Sequence, residues 1–312
     1  MIDILIPTYN RSNDLVKNIK HIDRLILNEG FNDKFRVFVS NNASSDDTSL
    51  LLEGVKSVIT IELIIYEQKT NIGLEKNALF LLEKSTSEFL MYIGDDDYLP
   101  DGYLTYVVSK IKSDANATLI IPGITANYGN GYRVTAREEN FLEVRYMKGY
   151  RAIYKTSYLG HQLSGVAQKR SLLLKKYNKN KALQNIYLFI YFSAFNASRG
   201  NVYYAPRYKM LVTEYNSREW TYDDSGLLME IFKNYKILFP HSLMRRFWLY
   251  YYIMYKQPFR IMHDKSVKNT IKSFRHLIEQ NDLEASFKYL LPFIYPYVAL
   301  IGVIRIVKRR FN

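Results

Sequence analysis

The stretch Tyr92-Ile93-Gly94-Asp95-Asp96-Asp97 decides the interpretation, because a buried-type strand runs directly into three adjacent acids. Carboxylates held side by side repel one another, so the cluster is costly unless a cation neutralises it. Carboxylate oxygens suit Mg²⁺ or Mn²⁺, which commonly bridge a protein to substrate phosphates. A helix N-cap before Asp101 is the plainer alternative, although one acid satisfies a cap. We therefore interpret residues 95–97, here named the acidic turn, as a metal-diphosphate site.

The first 125 residues alternate between strand and helix patterns. Short apolar runs predict strands at residues 2–6, 35–39, 59–66, 89–93 and 118–121. Apolar residues at helical spacing predict helices over 15–26, 48–55, 74–82 and 103–111, with Ser12 as the N-cap of the first. Strands that alternate with helices imply right-handed crossovers and a mainly parallel sheet. The predicted fold class is therefore α/β and Rossmann-like.

Polar clusters follow several of these strands. They are Thr8-Tyr9-Asn10-Arg11, the run from Asn41 to Asp46, Asn71-Ile72-Gly73, and the acidic turn with Gly94. Each cluster alone is compatible with an ordinary turn or helix cap. In a parallel sheet, however, ligands collect at the carboxyl ends of the strands. The convergence of the clusters on one rim of the sheet is what predicts a ligand site.

Together these motifs resemble the family 2 glycosyltransferases with the GT-A fold, of the type found in surface-polysaccharide biosynthesis. The resemblance rests on Pro7-Thr8-Tyr9-Asn10-Arg11, residues 39–48, Asn71-Ile72-Gly73 with Lys76-Asn77, and Tyr92-Ile93-Gly94-Asp95-Asp96-Asp97. It covers residues 1–125 well and the remainder loosely. It implies a metal-dependent, inverting transfer of a sugar from a nucleoside-diphosphate sugar, most often a UDP-sugar, with Mn²⁺ or Mg²⁺ as the cofactor.

The resemblance also implies roles for individual residues. Asp97 is expected to be the main metal ligand. The residues expected to bind the nucleotide are Pro7, Thr8, Tyr9, Arg11, Asn41, Asn71, Lys76, Asp95 and Asp96. Asn41 stands where the family usually has Asp, which removes a charge and leaves the base preference open. Gly94 stands where the family often has the first acid of its motif.

A catalytic base is harder to predict. Inverting transfer needs a group that takes the proton of the acceptor hydroxyl. Where the family commonly has a Glu-Asp pair, this chain has Gln184-Asn185, and amides are not bases. We predict Asp223, Asp224 or His161 as the catalytic residue, with Glu214 as a further alternative. A structural histidine at 161 and a helix N-cap at 223–224 are the plainer interpretations.

The C-terminal third is basic and aromatic. The chain carries a net charge of +13, with −6 in residues 1–110 and +9 in residues 241–312. An acidic α/β half argues against a nucleic-acid partner. Residues 289–304 are apolar, contain Pro292 and Pro296, and are shorter than the roughly 20 residues of a membrane span. Basic residues follow them, so we predict peripheral contact with an anionic membrane, against the alternative of a buried helix with solvated cations.

The domain prediction divides the chain at residue 225. Residues 1–225 form the GT-A domain, with a nucleotide-binding half (1–125) and an acceptor half (126–225), and residues 226–312 form a helical extension. Beyond residue 125 the patterns predict a turn or hairpin at 128–132, helices over 183–197, 226–256 and 264–290, and a strand over 201–205 that ends at Pro206. The absence of cysteine excludes disulfides and thiolate metal sites.

These patterns lead to a functional hypothesis with alternatives. We expect transfer of a sugar to a lipid-linked or polysaccharide acceptor, as in O-antigen or capsule assembly. No secretory signal precedes the first strand, so we expect a cytoplasmic protein at the inner face of the membrane. A catalytically inactive nucleotide- or glycan-binding module is the main alternative. A nucleotidyltransferase is disfavoured, because residues 7–11 lack the glycine of a triphosphate loop.

Overall fold

The computed structural model describes residues 1–135, 139, 141–179, 186–214, 225–262 and 266–311. The chain divides into two compact units, Met1–Asn216 and Ser217–Asn312. The domain boundary expected at residue 225 stays a prediction, because residues 215–224 lie outside the described part of the chain.

The first half of unit 1 alternates strands and helices. The elements are β1 (Ile2–Thr8), α1 (Ser12–Asn28), β2 (Phe35–Asn41), α2 (Thr48–Lys56), β3 (Glu62–Glu67), α3 (Leu74–Lys84), β4 (Phe89–Tyr92), α4 (Tyr103–Ser113) and β5 (Ala117–Asn127). Every element predicted from the periodicity of this region is present. Strands β1 and β4 are buried along their whole length, as expected for parallel strands covered on both faces.

The second half of unit 1 is less regular. Its elements are β6 (Arg133–Thr135), β7 (Val144–Tyr146), α5 (Tyr150–Thr156), a 3₁₀ helix (Ser157–His161), β8 (Val166–Lys169), α6 (Leu173–Asn178), α7 (Leu188–Arg199) and β9 (Asn201–Thr213). The hairpin predicted at residues 128–132 is confirmed, since it joins β5 to the antiparallel β6. Part of the helix predicted over 183–197 is α7, and residues 183–185 lie outside the described part.

All nine described strands belong to one sheet, ordered β3-β2-β1-β4-β8-β5-β9-β7, with β6 paired to β5. Strands β3, β2, β1 and β4 run parallel, as do β5 and β9. Strand β8 lies antiparallel between β4 and β5. The α/β class with a mostly parallel sheet is confirmed. The periodicity did not reveal β8, because four residues are too few for a pattern.

Two local predictions were wrong. Ser12 is the first residue of α1 and Arg11 occupies the cap position. The acceptor for the Ser12 N–H comes from Asp46 of the neighbouring loop, at 3.1 Å. The strand expected to end at Pro206 continues as β9 to Thr213, because a bulge between Ala205 and Lys209 takes the proline out of the ladder.

Unit 2 consists of helices. They are α8 (Leu228–Leu238), α9 (Leu243–Lys256), a 3₁₀ helix (Pro258–Arg260), α10 (Val267–Glu279) and α11 (Ala285–Phe311). The two long helices predicted over 226–256 and 264–290 are each broken, the first near Pro240. Phe232 and Tyr250 stack at 4.0 Å, and Phe287 packs edge-on to both. Within α11, Ala285–Arg305 is long and apolar enough to cross a membrane, and 28% of its most apolar window is buried in the protein.

Candidate active site

The acidic turn lies at the carboxyl end of β4, beside the end of β1. Ile93 donates its N–H to Leu5 O at 3.0 Å, which extends the pairing of these two strands. The Thr8 hydroxyl donates to Asp95 Oδ2 at 2.7 Å. Arg11 Nη1 lies 3.9 Å from Asp96 Oδ2. The first polar motif and the acidic turn therefore meet in space, although 87 residues separate Thr8 from Asp95.

The second half of unit 1 holds the acidic turn in place. Asp97 is 7% exposed, and its carboxylate accepts hydrogen bonds from the Ser164 hydroxyl and, at 3.0 Å, from the Thr213 N–H. Ser164 Oγ also accepts the Gly94 N–H at 2.8 Å. The Thr213 hydroxyl donates to Asp96 O at 2.6 Å. Both oxygens of Asp97 are thus engaged by protein donors.

Helix α1 supports the turn from the other side. Asn18 is fully buried, and its side-chain amide donates to Gly94 O at 2.9 Å and to Asp97 O. A side chain at Gly94 would place its Cβ 2.8 Å from Asp97 Oδ2. The backbone of the turn therefore has little room to move.

Burial and the proximity of the acids raise the pKa of two of the three carboxyl groups in the acidic turn. Burial, followed by repulsion from Asp96, raises the pKa of Asp95 and of Asp97 to about 7. A neighbouring cation would reverse this effect, since it favours the ionised carboxylates. Within the described residues, no group of three or more His, Asp or Glu side chains is arranged to hold a metal ion. Mg²⁺ and Mn²⁺ often take one or two protein carboxylates and complete their shell with phosphate and water, and the carboxylates of the acidic turn could hold such an ion.

The second polar motif, Asn41 to Asp46, is hydrogen-bonded to the end of β3. Asn41 is fully buried, and its amide donates to Glu67 Oε2 at 2.8 Å and to Ser49 Oγ at 2.9 Å. Its carbonyl oxygen accepts the Ser44 N–H at 3.2 Å. Since the protein uses both amide hydrogens of Asn41, the group that faces solvent at this point is the exposed carboxylate of Glu67. A negative charge therefore lies beside the position where the family's Asp is replaced by Asn.

The first two motif loops are tied together. The Asn10 N–H donates to Ser44 Oγ at 2.9 Å, and the Ser45 N–H donates to Asn10 Oδ1 at 2.9 Å. Asn10 has a φ of 52°, in the left-handed region that asparagine tolerates better than most residues. Pro7 pairs with Ser40 in the parallel ladder and is buried, while Tyr9 is half-buried in the loop.

The third motif attaches to the second. Asn42 donates to Asn71 Oδ1 at 2.8 Å and accepts the Ile72 N–H at 2.9 Å. Asn71 and Lys76 are exposed, with Lys76 in the first turn of α3. Asn77 is structural, since it exchanges hydrogen bonds of 2.6 and 3.0 Å with Ser40.

The candidate bases are only partly described. His161 ends the 3₁₀ helix, is half-buried, and has Nδ1 2.8 Å from Tyr158 O. A carbonyl partner at Nδ1 assigns the proton to that nitrogen, so the neutral ring carries its lone pair on Nε2. Glu214 directly follows Thr213, which contacts the acidic turn. Asp223, Asp224, Gln184 and Asn185 lie outside the described residues.

A cavity of about 420 Å³ lies beside the ends of β5 and β6. Its lining residues are Asn127, Tyr128, Gly129, Asn130, Gly131 and Arg133. Asn127 pairs with Thr213, so the cavity is one strand away from the contacts to the acidic turn. It lies in the half of unit 1 that the sequence predicts to bind the acceptor.

Comparison with known proteins identifies the family. The family model described as "Glycosyl transferase family 2" matches residues 3–180, more than half of the chain and all four motifs. The chain belongs to glycosyl transferase family 2. The resemblance inferred from the motifs is thereby confirmed.

Curated relatives include named glycosyltransferases. The abequosyltransferase RfbV of Salmonella typhimurium is 26% identical over 119 residues, which is 38% of this chain and 35% of that protein. The GalNAc(5)-diNAcBac-PP-undecaprenol beta-1,3-glucosyltransferase of Campylobacter jejuni is 29% identical over 109 residues, or 35% and 34%. The chain thus matches these relatives over only about a third of their length.

Solved structures agree with the fold. S. aureus TarS 1-349 in complex with UDP-GlcNAc superposes with a TM-score of 0.66 at 15% identity, covering 89% of this chain and 80% of that one. The mannosyltransferase PcManGT from Pyrobaculum calidifontis, in complex with GDP-Man and Mn2+, gives 0.54 at 12% identity, over 97% and 86%. The predicted GT-A class of α/β fold is confirmed.

Sequence reasoning missed four residues that build this site. Asn18 and Thr213 carried no sequence signal, because a single polar residue in an amphipathic helix or strand is ordinary. Ser164 stands in a glycine-flanked turn, Leu163-Ser164-Gly165, that a closer search for hydroxyl donors would have selected. Glu67 directly follows the strand predicted over residues 59–66, and with Gln68 and Lys69 it forms a polar segment at the end of that strand.

Proposed function

We propose that this chain transfers a sugar from a nucleoside-diphosphate sugar, in the first instance a UDP-sugar, to a lipid-linked or polysaccharide acceptor. The observation that carries the proposal is the acidic turn, joined to Thr8 and Arg11 on one side and to Ser164 and Thr213 on the other. Family membership supports the reaction type. TarS binds UDP-GlcNAc in its solved complex, which supports the donor class.

The diphosphate of the donor would lie against the acidic turn and Arg11. A bound Mn²⁺ or Mg²⁺ would neutralise charge on the departing diphosphate. The sequence predicts Asp97 as its main ligand. Each oxygen of Asp97 accepts one hydrogen bond from the protein, as metal-binding carboxylates commonly do, and keeps a lone pair for the cation. We therefore assign the cation to Asp97 with Asp96.

The reaction is an in-line displacement at the anomeric carbon. The acceptor hydroxyl oxygen forms the new bond as the bond to the β-phosphate oxygen breaks, and the nucleoside diphosphate leaves with that electron pair. A base takes the hydroxyl proton, and the outcome is inversion. Among the three predicted bases, His161 is described, and its segment reaches the acidic turn through Ser164. Asp223 and Asp224 stay predictions.

The acceptor class follows from the relatives and the charge distribution. The Campylobacter relative is named for an undecaprenol-linked substrate, and the succinoglycan biosynthesis protein ExoM of Rhizobium meliloti is 25% identical over 129 residues. Both names support an acceptor in glycan assembly at a membrane. We propose a cytoplasmic protein that works at the inner face of the cell membrane, without a nucleic-acid partner.

A binding module without turnover is the second candidate. Gln184-Asn185 stands where the family commonly has a Glu-Asp pair, and this departure favours it. Single-turnover assays of donor hydrolysis and transfer across an acceptor panel separate the two candidates. Transfer by the wild type, lost in one of the variants His161→Gln, Asp223→Asn or Asp224→Asn, supports the enzyme. Nucleotide binding with neither hydrolysis nor transfer supports the module.

The donor site is tested by thermal shift with UDP-, CDP-, GDP- and dTDP-sugars, with and without Mn²⁺. We expect a metal-dependent rise in melting temperature with the UDP-sugar. Asp96→Ala should abolish the metal-dependent part. Asp101→Ala is the matched control, because Asp101 is an 87% exposed acid that follows the same turn. An unchanged metal response in Asp96→Ala would contradict the assignment.

A further inference from the structure

Helix α11 carries an apolar face that the protein leaves open. Its exposed residues recur at helical spacing and are Tyr289, Phe293, Tyr297, Leu300, Ile304 and Val307, named here the α11 stripe. Tyr289 is 78% exposed and Phe293 is 73% exposed. A helix rises 1.5 Å per residue, so the stripe is about 27 Å long. Soluble proteins seldom expose so long an apolar surface unless it binds something.

The opposite face of α11 is packed within unit 2. Tyr295 donates its hydroxyl to Ile261 O at 3.1 Å and lies edge-on to Phe274 at 5.2 Å. Phe287 packs on Tyr250, and Gly302 lies against Met262. The helix is therefore held by its own domain along one side, and the side that carries the stripe is exposed.

The charge of the helix indicates the partner. Residues 285–311 contain five Lys or Arg and no Asp or Glu. Arg305 lies between Ile304 and Val307, and Lys308, Arg309 and Arg310 follow the stripe at its C-terminal end. A second copy of the same helix would bring like charges together, whereas an anionic lipid surface attracts each cation. Apolar residues flanked by a basic cluster are typical of a helix that lies in a membrane interface.

Aromatic side chains continue this surface onto α9. Trp248 meets Tyr251 edge-on at 6.0 Å, and Tyr251 stacks on Tyr255 at 6.1 Å. The guanidinium of Arg305 lies 4.7 Å from the centre of the Tyr255 ring, which joins the row to α11. Trp and Tyr are favoured at the headgroup level, because one end of the ring is apolar and the other polar.

The prolines of α11 favour a position of the helix among the lipid headgroups rather than in the hydrocarbon core of the membrane. Pro292 and Pro296 are exposed and lack the N–H that would pair with the carbonyls of Lys288 and Pro292. An unpaired carbonyl is costly in hydrocarbon but is hydrated among headgroups. Crossing the bilayer would also detach the packed face of the helix from unit 2.

We propose that the α11 stripe lies in the interface of an anionic membrane, parallel to its plane, and holds the protein there without spanning it. The contact is separate from donor binding, so its failure would remove the proposed membrane location and leave the proposed sugar transfer standing.

The test is flotation of the purified 312-residue chain with vesicles. One set is phosphatidylcholine alone and the other contains one-third phosphatidylglycerol. We expect binding to the anionic vesicles, with about tenfold or more loss in Phe293→Ser/Leu300→Ser, whose side chains are 73% and 57% exposed. Leu142→Ser is the matched control, because Leu142 is a 68% exposed residue of unit 1, and it should bind as the wild type does.

Further measurements distinguish an interfacial membrane contact from a membrane span and from a dimer of the chain. Bound protein should be released by alkaline carbonate, and about 1 M salt should weaken binding by screening the cations. Binding that resists carbonate would overturn the proposal in favour of a span. Light scattering tests whether a second copy of the chain covers the stripe. The proposal would be overturned if the wild type formed a dimer, Phe293→Ser/Leu300→Ser were a monomer, and neither bound vesicles. Equal binding by wild type and variant would also overturn it.

Discussion

The side-chain amide of Asn41 donates a 2.8 Å hydrogen bond to the carboxylate of Glu67, across the ends of β2 and β3. The contact fixes a carboxylate beside the position where the family usually has an aspartate. Because Asn41 is buried and both its amide hydrogens are used, a base would meet Glu67 rather than Asn41. A carboxylate accepts hydrogen bonds from ring or exocyclic N–H groups of a base.

Replacement of Glu67 should weaken nucleotide binding. We expect Glu67→Ala to raise the Kd for UDP by roughly 10- to 150-fold, since a hydrogen bond to a charged group is worth roughly 1.5–3 kcal/mol. The effect should appear in KM for the donor and leave kcat nearly unchanged. Calorimetry with UDP measures the affinity. Glu62→Ala at the opposite end of β3 is the control, and equal affinities in the two variants would remove Glu67 from the base site.

Loss of the Ser164 hydroxyl should destabilise the acidic turn. Ser164→Ala deletes the donor to Asp97 and the acceptor of the Gly94 N–H. We expect the free energy of unfolding in urea to fall by about 1–3 kcal/mol, the cost of leaving buried polar groups unpaired. Ser109→Ala, which removes a hydroxyl bonded only to Tyr106 O in its own helix, should change it by less than about 0.5 kcal/mol. Similar losses in both variants would contradict a special role for Ser164.

The stability of the metal-free protein should fall as the pH rises from about 4 to 7. Burial raises the pKa of Asp97 from 3.8 to about 7, so the folded state holds the proton more tightly than the unfolded chain. Its stabilising contribution is complete below pH 3.8 and is lost as the pH approaches 7. Asp95 acts in the same direction. The expected loss is on the order of a few kcal/mol.

Urea titrations at several pH values, with and without Mn²⁺ and UDP, measure this dependence. Stabilisation by the cation should grow over the same range, because it binds the ionised carboxylates. Asp97→Asn does not titrate and should flatten the metal-free profile. A profile for Asp97→Asn as steep as that of the wild type would assign the pH dependence to other groups.

Gly123 should not tolerate a side chain. A Cβ at this position would lie 2.3 Å from Pro206 O, inside the bulge that lets β9 continue past the proline. We expect Gly123→Ala to lower the free energy of unfolding by more than about 2 kcal/mol, because backbone must shift. Gly54→Ala is the control: Gly54 lies in α2 with open space around it, and alanine there should stabilise by about 0.5–1 kcal/mol. Equal stability of the two variants would contradict the tight bulge.

Sequence periodicity predicted the strands and helices of the first 125 residues, but it missed several elements beyond them. Strands β1, β2 and β4 are covered on both faces, so their apolar runs are unmistakable, and helices α1 to α4 repeat apolar residues at the spacing of one buried side. Strand β8 has four residues, and β9 contains a proline that a bulge accommodates. Such features depend on a neighbouring strand, which local sequence does not contain.

The acidic turn shows the same difference between what the local sequence determines and what the tertiary structure determines. The sequence alone predicted the family and the rim of the sheet that we expect to bind the donor, because three adjacent acids follow a buried strand and three other strands end in polar residues. Only the tertiary structure decided how the acids differ. Ser164 and Thr213, which follow Asp97 by 67 and 116 residues, engage both its oxygens and bury it, while Thr8 and Arg11 face Asp95 and Asp96. A residue's type sets which contacts it can make, but its burial and partners come from segments distant in the chain.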